Sequence, residues 1–434
     1  MIQQAVEDDV LALGMRGIRC LAVAKTDPKT QEWSILGLLT FLDPPRPDTK
    51  QTIIDSKAYG VNVKMITGDH LLIARETARQ LEMGTNITDA ANLPMLDPDT
   101  KEAPKNLVED YGAHCYVHDG FAQVFPEHKY LIVETLRQMG FKTGMTGDGV
   151  NDAPALKRAD VGVAVQGSTD AARAAADIVL TRPGLSTIVY AIITARKVFV
   201  RIRNFITYRV AATLQLLIFF FIATFTMHPY RFEPTAEEVA NIENYPDAST
   251  PWPAFFHMPV LMLMLITLLN DGTLIAIGYD NAIPSKSPEV WNLPMLYCIG
   301  SVLAAVACVS SLLILYLALD SWNPDGVFQR YGLQGLSYGQ ITTTIYLKVS
   351  VSDFLTLFSS RTGEKWFWES RPSAILLMAG GFALSCSTLL ACFWPYSFPD
   401  GIFAFGLARR VPYMMPVYIW AYCIFWWFIQ VLVL

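Results

Sequence analysis

Six runs of about twenty apolar residues, at 206–227, 257–279, 294–319, 338–360, 372–394 and 413–434, fill the second half of this 434-residue chain. Each is long enough to cross the hydrocarbon core of a bilayer, where backbone polar groups must be satisfied within the segment, so helices are the expected form. The composition agrees, since 52% of residues are hydrophobic and only 17% charged, a balance that leans toward a membrane protein. The average conceals a division: most of the charge falls before about residue 200, in a stretch that reads as soluble α/β. A net charge of −6 gives no sign of nucleic-acid binding. Seven cysteines, an odd number with no CxxC pair, argue for reduced thiols over a disulfide framework. The opening MIQQAVEDDV is polar and acidic, so no signal peptide is expected. Arg196, Lys197, Arg201 and Arg203 precede the first run, whereas the loop at 228–256 has Arg231 against five acids. The positive-inside rule then puts the soluble part in the cytoplasm, and six crossings return the C-terminus there, with Arg409 and Arg410 outside as a tolerated exception.

Within the soluble part, KTGMTGDGVNDAPALKRADVGVAV at 142–165 predicts a strand at 142–146, a turn at 147–149, a helix at 151–159 and a strand at 161–165. Asp148 and Asp152 stand four residues apart across a strand-to-helix corner, so both carboxylates can reach one cavity at the carboxyl end of a parallel sheet. Hard oxygen ligands of this kind suit Mg²⁺, which completes its shell with water and phosphate oxygens. Gly147 and Gly149 let the backbone approach a charged ligand, and the following helix offers free N–H groups to an anion. A bare GDG is as often an acidic turn with a cap; the longer run favours chemistry. A second Thr-Gly-Asp, formed by Thr67, Gly68 and Asp69, ends a strand predicted at 61–66 and is expected on the same sheet. Lys129, in the first turn of the next helix, could neutralise charge on a transferring phosphoryl group. Alternating β and α through Leu180 implies a parallel sheet. Three prolines between residues 44 and 47 make a rigid connection, and 84–112 reads as a surface loop or small insertion. His114, Cys115 and His118 have passable metal spacing but read as structural.

The run TGDGVNDAPALK at 146–157 resembles, without a mismatch, the hinge motif of P-type cation-transporting ATPases. FPEHK at 125–129 and DPPRPDT at 43–49 resemble two further segments of that family, the latter closest to its proton-pumping branch. The resemblance implies the end of a nucleotide-binding domain at 1–40 and a haloacid-dehalogenase-like α/β phosphorylation domain with a doubly wound sheet at 41–190. A stalk and an all-α bundle of six transmembrane helices would follow at 191–434, the stalk helix starting near Leu185. It implies ATP as phosphoryl donor, Mg²⁺ on Asp148 and Asp152, Asn151 lining the same site, and Lys129 contacting the phosphorylated residue. Thr67, Gly68 and Asp69 would hold an aspartyl phosphate and position water, Arg19 would lie near the ATP phosphates, and the protein would reside in the plasma membrane. The phosphorylation motif DKTGT is nowhere in the chain, nor are the actuator domain and first four spans. The resemblance therefore covers about the C-terminal half of such a pump. A fragment, a polypeptide that combines with a missing N-terminal half, and an inactive protein all remain open.

Asp271, in LITLLNDGTLIAI, is the lone ionisable residue between His257 and Tyr279, with Asn270 beside it. A carboxylate at that depth is costly unless protonated or paired, and such a group can carry a proton. A structural Asp satisfied by neighbouring helices is the bland reading. LNDGT resembles the sixth span of plasma-membrane proton pumps, in which this aspartate accepts and donates the transported proton. The basic residue that plant and fungal pumps carry in the preceding span is matched here by Gln215, which leaves the counter-ion unassigned. Arg209, six residues before Gln215 in the same run, is the available basic candidate for that role but is expected, so near the cytoplasmic end, to be an interfacial anchor, and Lys348 with Asp353 are expected to be a pair or snorkelling groups. A pump for another cation is the alternative.

Overall fold

The computed structural model describes residues 2–26, 33–93, 95–96, 103–240, 251–362 and 369–433. They form two compact units, residues 1–194 with 286–288 and residues 195–285 with 289–434.

The first unit opens with helix α1 (Ile2–Met15) and an antiparallel hairpin of β1 (Arg19–Thr26) and β2 (Trp33–Phe41), whose side chains are mostly exposed. After the prolines come α2 (Thr49–Ala58), β3 (Met65–Ile66), α3 (Leu71–Gln80), β4 (Ile87–Asp89), α4 (Leu107–Val117), β5 (Gly120–Ala122) and α5 (Pro126–Gln138). Then follow β6 (Gly144–Gly147), α6 (Ala153–Arg158), β7 (Val161–Ala164), α7 (Asp170–Ala175) and β8 (Ile178–Val179). The expected alternation holds, and all pairings after the hairpin are parallel. The strands nevertheless fall into two three-stranded sheets, ordered β3-β5-β4 and β6-β7-β8. The two Thr-Gly-Asp motifs therefore do not share a sheet as expected. Each ends an outer strand, β3 in one sheet and β6 in the other. The stretch 84–112 is also less loop-like than its Pro, Asn and Asp content implies, since it contains β4 and the start of α4; residues 94 and 97–102 lie outside the described residues. Apolar contacts close each layer: Ala74 and Ala78 of α3 pack with Ile87 and Ala122, while Val133, Met145, Ala155 and Leu156 seal the other sheet.

Helix α8 (Ser186–Thr226) runs unbroken for 41 residues, about 60 Å at the α-helical rise. It is followed by α9 (Ala236–Ala240), α10 (Val260–Ile277), α11 (Leu293–Leu319), α12 (Val327–Arg330), α13 (Tyr338–Ser360), α14 (Ala374–Phe393) and α15 (Met415–Val433). Among the described residues five helices are long and apolar enough to cross a membrane: α8, α10, α11, α14 and α15. The sixth expected span, α13, has the length, with 23 residues, but is too polar to count on apolarity. Its position explains how that is tolerated. α13 packs against α10, α11, α14 and α15 at once, and only Ser352, Leu355 and Phe358 are less than fully buried. Its polar side chains bond to each neighbour in turn: Lys348 to Ser311 of α11, Asp353 to Asn270 of α10, Ser350 to Ser387 of α14 and Thr356 to Gln430 of α15. Many of the polar groups that lipid would reject are thereby met by protein, although Thr344 Oγ1 and Asp353 Oδ1 are buried without a partner. Just beyond α13, buried Arg361 is clamped to Asp280 at 2.8 Å, and Asp280 also accepts from the Ser373 N–H at 2.9 Å.

Candidate functional site

The turn after β6 is built around Asp152. Its Oδ2 accepts from the backbone N–H groups of Asp148 and Gly149, each at 3.2 Å, and its Oδ1 accepts from Lys129 Nζ at 2.7 Å. Lys129 reaches this point because α5 packs on α6 and on the single 3-10 turn, Val150–Asp152, that precedes it. Gly147 makes the arrangement possible: a Cβ there would lie 2.5 Å from that of Asp152. Asp152 is buried and held by these three hydrogen bonds, whereas the Asp148 carboxylate and the Asn151 side chain are exposed. One free carboxylate, a second fixed beside a lysine and a loop of backbone donors fit a small hard cation together with phosphate oxygens. Next to Lys129, burial pushes His128 below its ordinary imidazole range.

The other Thr-Gly-Asp turn is held by β5. Thr67 N–H donates to Phe121 O at 2.9 Å, Val124 N–H to Thr67 O at 3.1 Å and Gln123 N–H to Asp69 O at 2.9 Å. Gln123 takes a left-handed backbone, φ 55°, to do so. A non-glycine residue in that region marks a constrained site, a signal that sequence reading missed. Thr67 Oγ1 accepts from the Asp69 N–H at 3.1 Å, and Arg19 is ion-paired with Asp69. The structure thus joins Arg19 to the Thr67 turn and Lys129 to the Asp148 turn. Among the described residues no hydrogen bond or ion pair links the two groups.

In the second unit Asp271 of α10 is ion-paired with Arg209 of α8. Arg209, expected as an interfacial anchor and offered by the sequence as the one basic candidate, is thus the ionic partner that Gln215 does not supply. Gln215 is itself buried, with Nε2 unpartnered. Arg209, Tyr208 and Asn270 line a cavity of about 730 Å³ whose other walls include Leu216, Phe220 and Ile266. Lys348 and Asp353 also depart from expectation. Both are fully buried, so neither snorkels, and they are not paired with each other: Lys348 Nζ donates to Ala307 O at 2.9 Å and to the Ser311 hydroxyl.

Parallel strands ending in acidic Thr-Gly-Asp turns, one of them fixed against a lysine, define a haloacid dehalogenase-like hydrolase domain, and the family model of that description matches residues 6–160. The chain is 52% identical to "Probable proton ATPase 1A" and to "Probable proton ATPase 1B" of Leishmania donovani, over 99% of its own length and 43% of each of theirs. It is 37% identical to "Plasma membrane ATPase 1" of Schizosaccharomyces pombe, over 86% of this chain and 36% of that protein. The chain is a homologue of these proton ATPases over nearly all of its own length, carries a haloacid dehalogenase-like hydrolase domain, and is a multi-pass integral membrane protein. It spans less than half the length of these curated relatives.

Proposed function

We propose that this chain is the C-terminal half of an ATP-driven, proton-exporting pump, and that Asp271 carries the proton. One observation bears most of the weight: Asp271 is the sole ionisable residue of the 18-residue helix α10 and has Arg209 as its counter-ion. A lone carboxylate suits a proton, whose binding removes its charge, whereas a metal ion requires several oxygens to replace its water shell. Arg209 compensates the ionised form once the proton has left. In the soluble unit, ATP would phosphorylate an aspartate that lies outside this sequence. Asp148 and Asp152 would hold Mg²⁺, which when bound neutralises phosphate charge. Asp152 keeps the loop in register, Lys129 adds a fixed ammonium, and Asn151 lines the same pocket. Thr67, Gly68 and Asp69 would bind the aspartyl phosphate and orient water, with Arg19 toward the nucleotide. In this reading residues 1–40 end a nucleotide-binding domain, 41–190 form the phosphorylation domain and 191–434 the stalk and membrane bundle. The soluble unit and C-terminus face the cytoplasm, and the membrane is the plasma membrane, as the name of the Schizosaccharomyces relative supports.

The test is Asp271→Asn in the full-length protein. ATP hydrolysis should persist in part while acidification of inside-out vesicles is lost. Retained acidification, or hydrolysis that requires Ca²⁺, Na⁺ or K⁺ as the transported ion, overturns the reading.

A further inference from the structure

The interior around α13 holds a pair that this mechanism does not use. Asn270 Nδ2 donates to Asp353 Oδ2 at 2.6 Å, and the two residues are 5% and 0% exposed. Their remaining oxygens, Asp353 Oδ1 and Asn270 Oδ1, are both buried and both without a hydrogen-bond partner. Each is an acceptor, so the pair lacks a donor, and flipping the amide would only set oxygen against oxygen. We propose that Asp353 is a second proton-binding carboxylate: a proton on Oδ1, donated to Asn270 Oδ1, closes a two-bond acid–amide pair and satisfies both orphaned atoms at once.

The surroundings favour the neutral acid. Among the described residues, the ionisable groups near Asp353 are Lys348 on its own helix, Tyr208 of α8 and Cys423 of α15, with Asp271 and Arg209 beside Tyr208. Lys348 spends its ammonium on α11, and the Tyr208 hydroxyl has no partner. An ionised Asp353 would thus be a fully buried charge with a single amide donor, which is costly in a bilayer interior. Because Asn270 precedes Asp271, the protonated pair anchors the segment of α10 that bears the carrier; that consequence rests on the proposed function, while the protonation itself does not.

Infrared spectroscopy of the full chain in lipid bilayers tests it. At neutral pH a protonated-carboxyl C=O band should be present, disappear in Asp353→Asn, shift in Asn270→Ala and survive in Asp271→Asn. Absence of a band lost in Asp353→Asn overturns the proposal. The same variant gives a second readout, because its amide supplies the donor and acceptor of the neutral acid. It should keep the wild-type Tm, and a lowered Tm or failure to fold would mean that Asp353 is ionised. Proton transport retained in Asp271→Asn would defeat the pump reading and leave this band test unaffected.

Discussion

Gly147 decides whether the Asp148 turn can close. A methyl at this position would press on Asp152 from 2.5 Å, moving its carboxylate off the two backbone donors and off Lys129. Gly147→Ala should therefore cost about 1–3 kcal/mol, as overpacking does, and weaken Mg²⁺ binding; wild-type stability in urea together with unchanged Mg²⁺ affinity would refute this account of the loop. Arg209 is the corresponding residue in the membrane. Its role can be separated from general structure by a double-mutant cycle read on ATP hydrolysis, which persists in part in Asp271→Asn: Arg209→Gln should lower hydrolysis in the otherwise wild-type protein, yet lower it no further in Asp271→Asn, because the partner is already neutral. Additive losses of hydrolysis would make Arg209 independent of Asp271. Motif spacing picked out Asp148, Asp152 and Lys129 individually, but the Lys129–Asp152 contact spans 23 residues and exists only once α5 lies on α6. Arg209 was misjudged for a similar reason. Its distance along α8 says nothing about which residue of α10 faces it.

Helices α5 and α6 are tied by Glu134, which is almost buried and accepts from Arg158 Nη2 at 2.7 Å. That hydrogen bond holds Glu134 below the usual carboxylate range; the Thr143 backbone N–H does the same for Asp160. Groups depressed in the folded state stabilise it fully above the unfolded carboxylate range, near ~4, and that stability is lost as pH falls through the folded values. Thermal unfolding of the first unit should accordingly be flat from neutral pH to about pH 5 and weaken below. Glu134→Gln with Asp160→Asn should flatten the acid limb and cost about 1–3 kcal/mol at neutral pH, the scale of hydrogen bonds to charged groups; an unchanged pH profile would exclude both carboxylates. Elements with a strong local pattern were legible, including the βα alternation and the long helix from near Leu185. The edge positions of β3 and β6 were not, because strand pairing is non-local. Nor did a run of mixed Thr, Ser and apolar residues disclose that α13 occupies the centre of the bundle.

At the scale of the molecule, two short parallel sheets each carry a motif-bearing strand at an edge. With no DKTGT in the sequence, the chain alone should incorporate no acid-stable label from ATP, and label on any of its aspartates would disprove that. The central placement of α13 bears also on how the protein is made. A lysine or aspartate at the middle of an isolated helix opposes insertion by about 2.5–3.5 kcal/mol each, and α13 carries both Lys348 and Asp353. Translated alone beside a glycosylation tag, residues 338–360 should pass through the translocon into the lumen, whereas residues 293–433 should integrate; efficient integration of the short piece would contradict this. For α13 the solvent is the other helices and not the lipid, so it must wait at the translocon for α14 and α15 to emerge, and the bundle is completed from its rim inward.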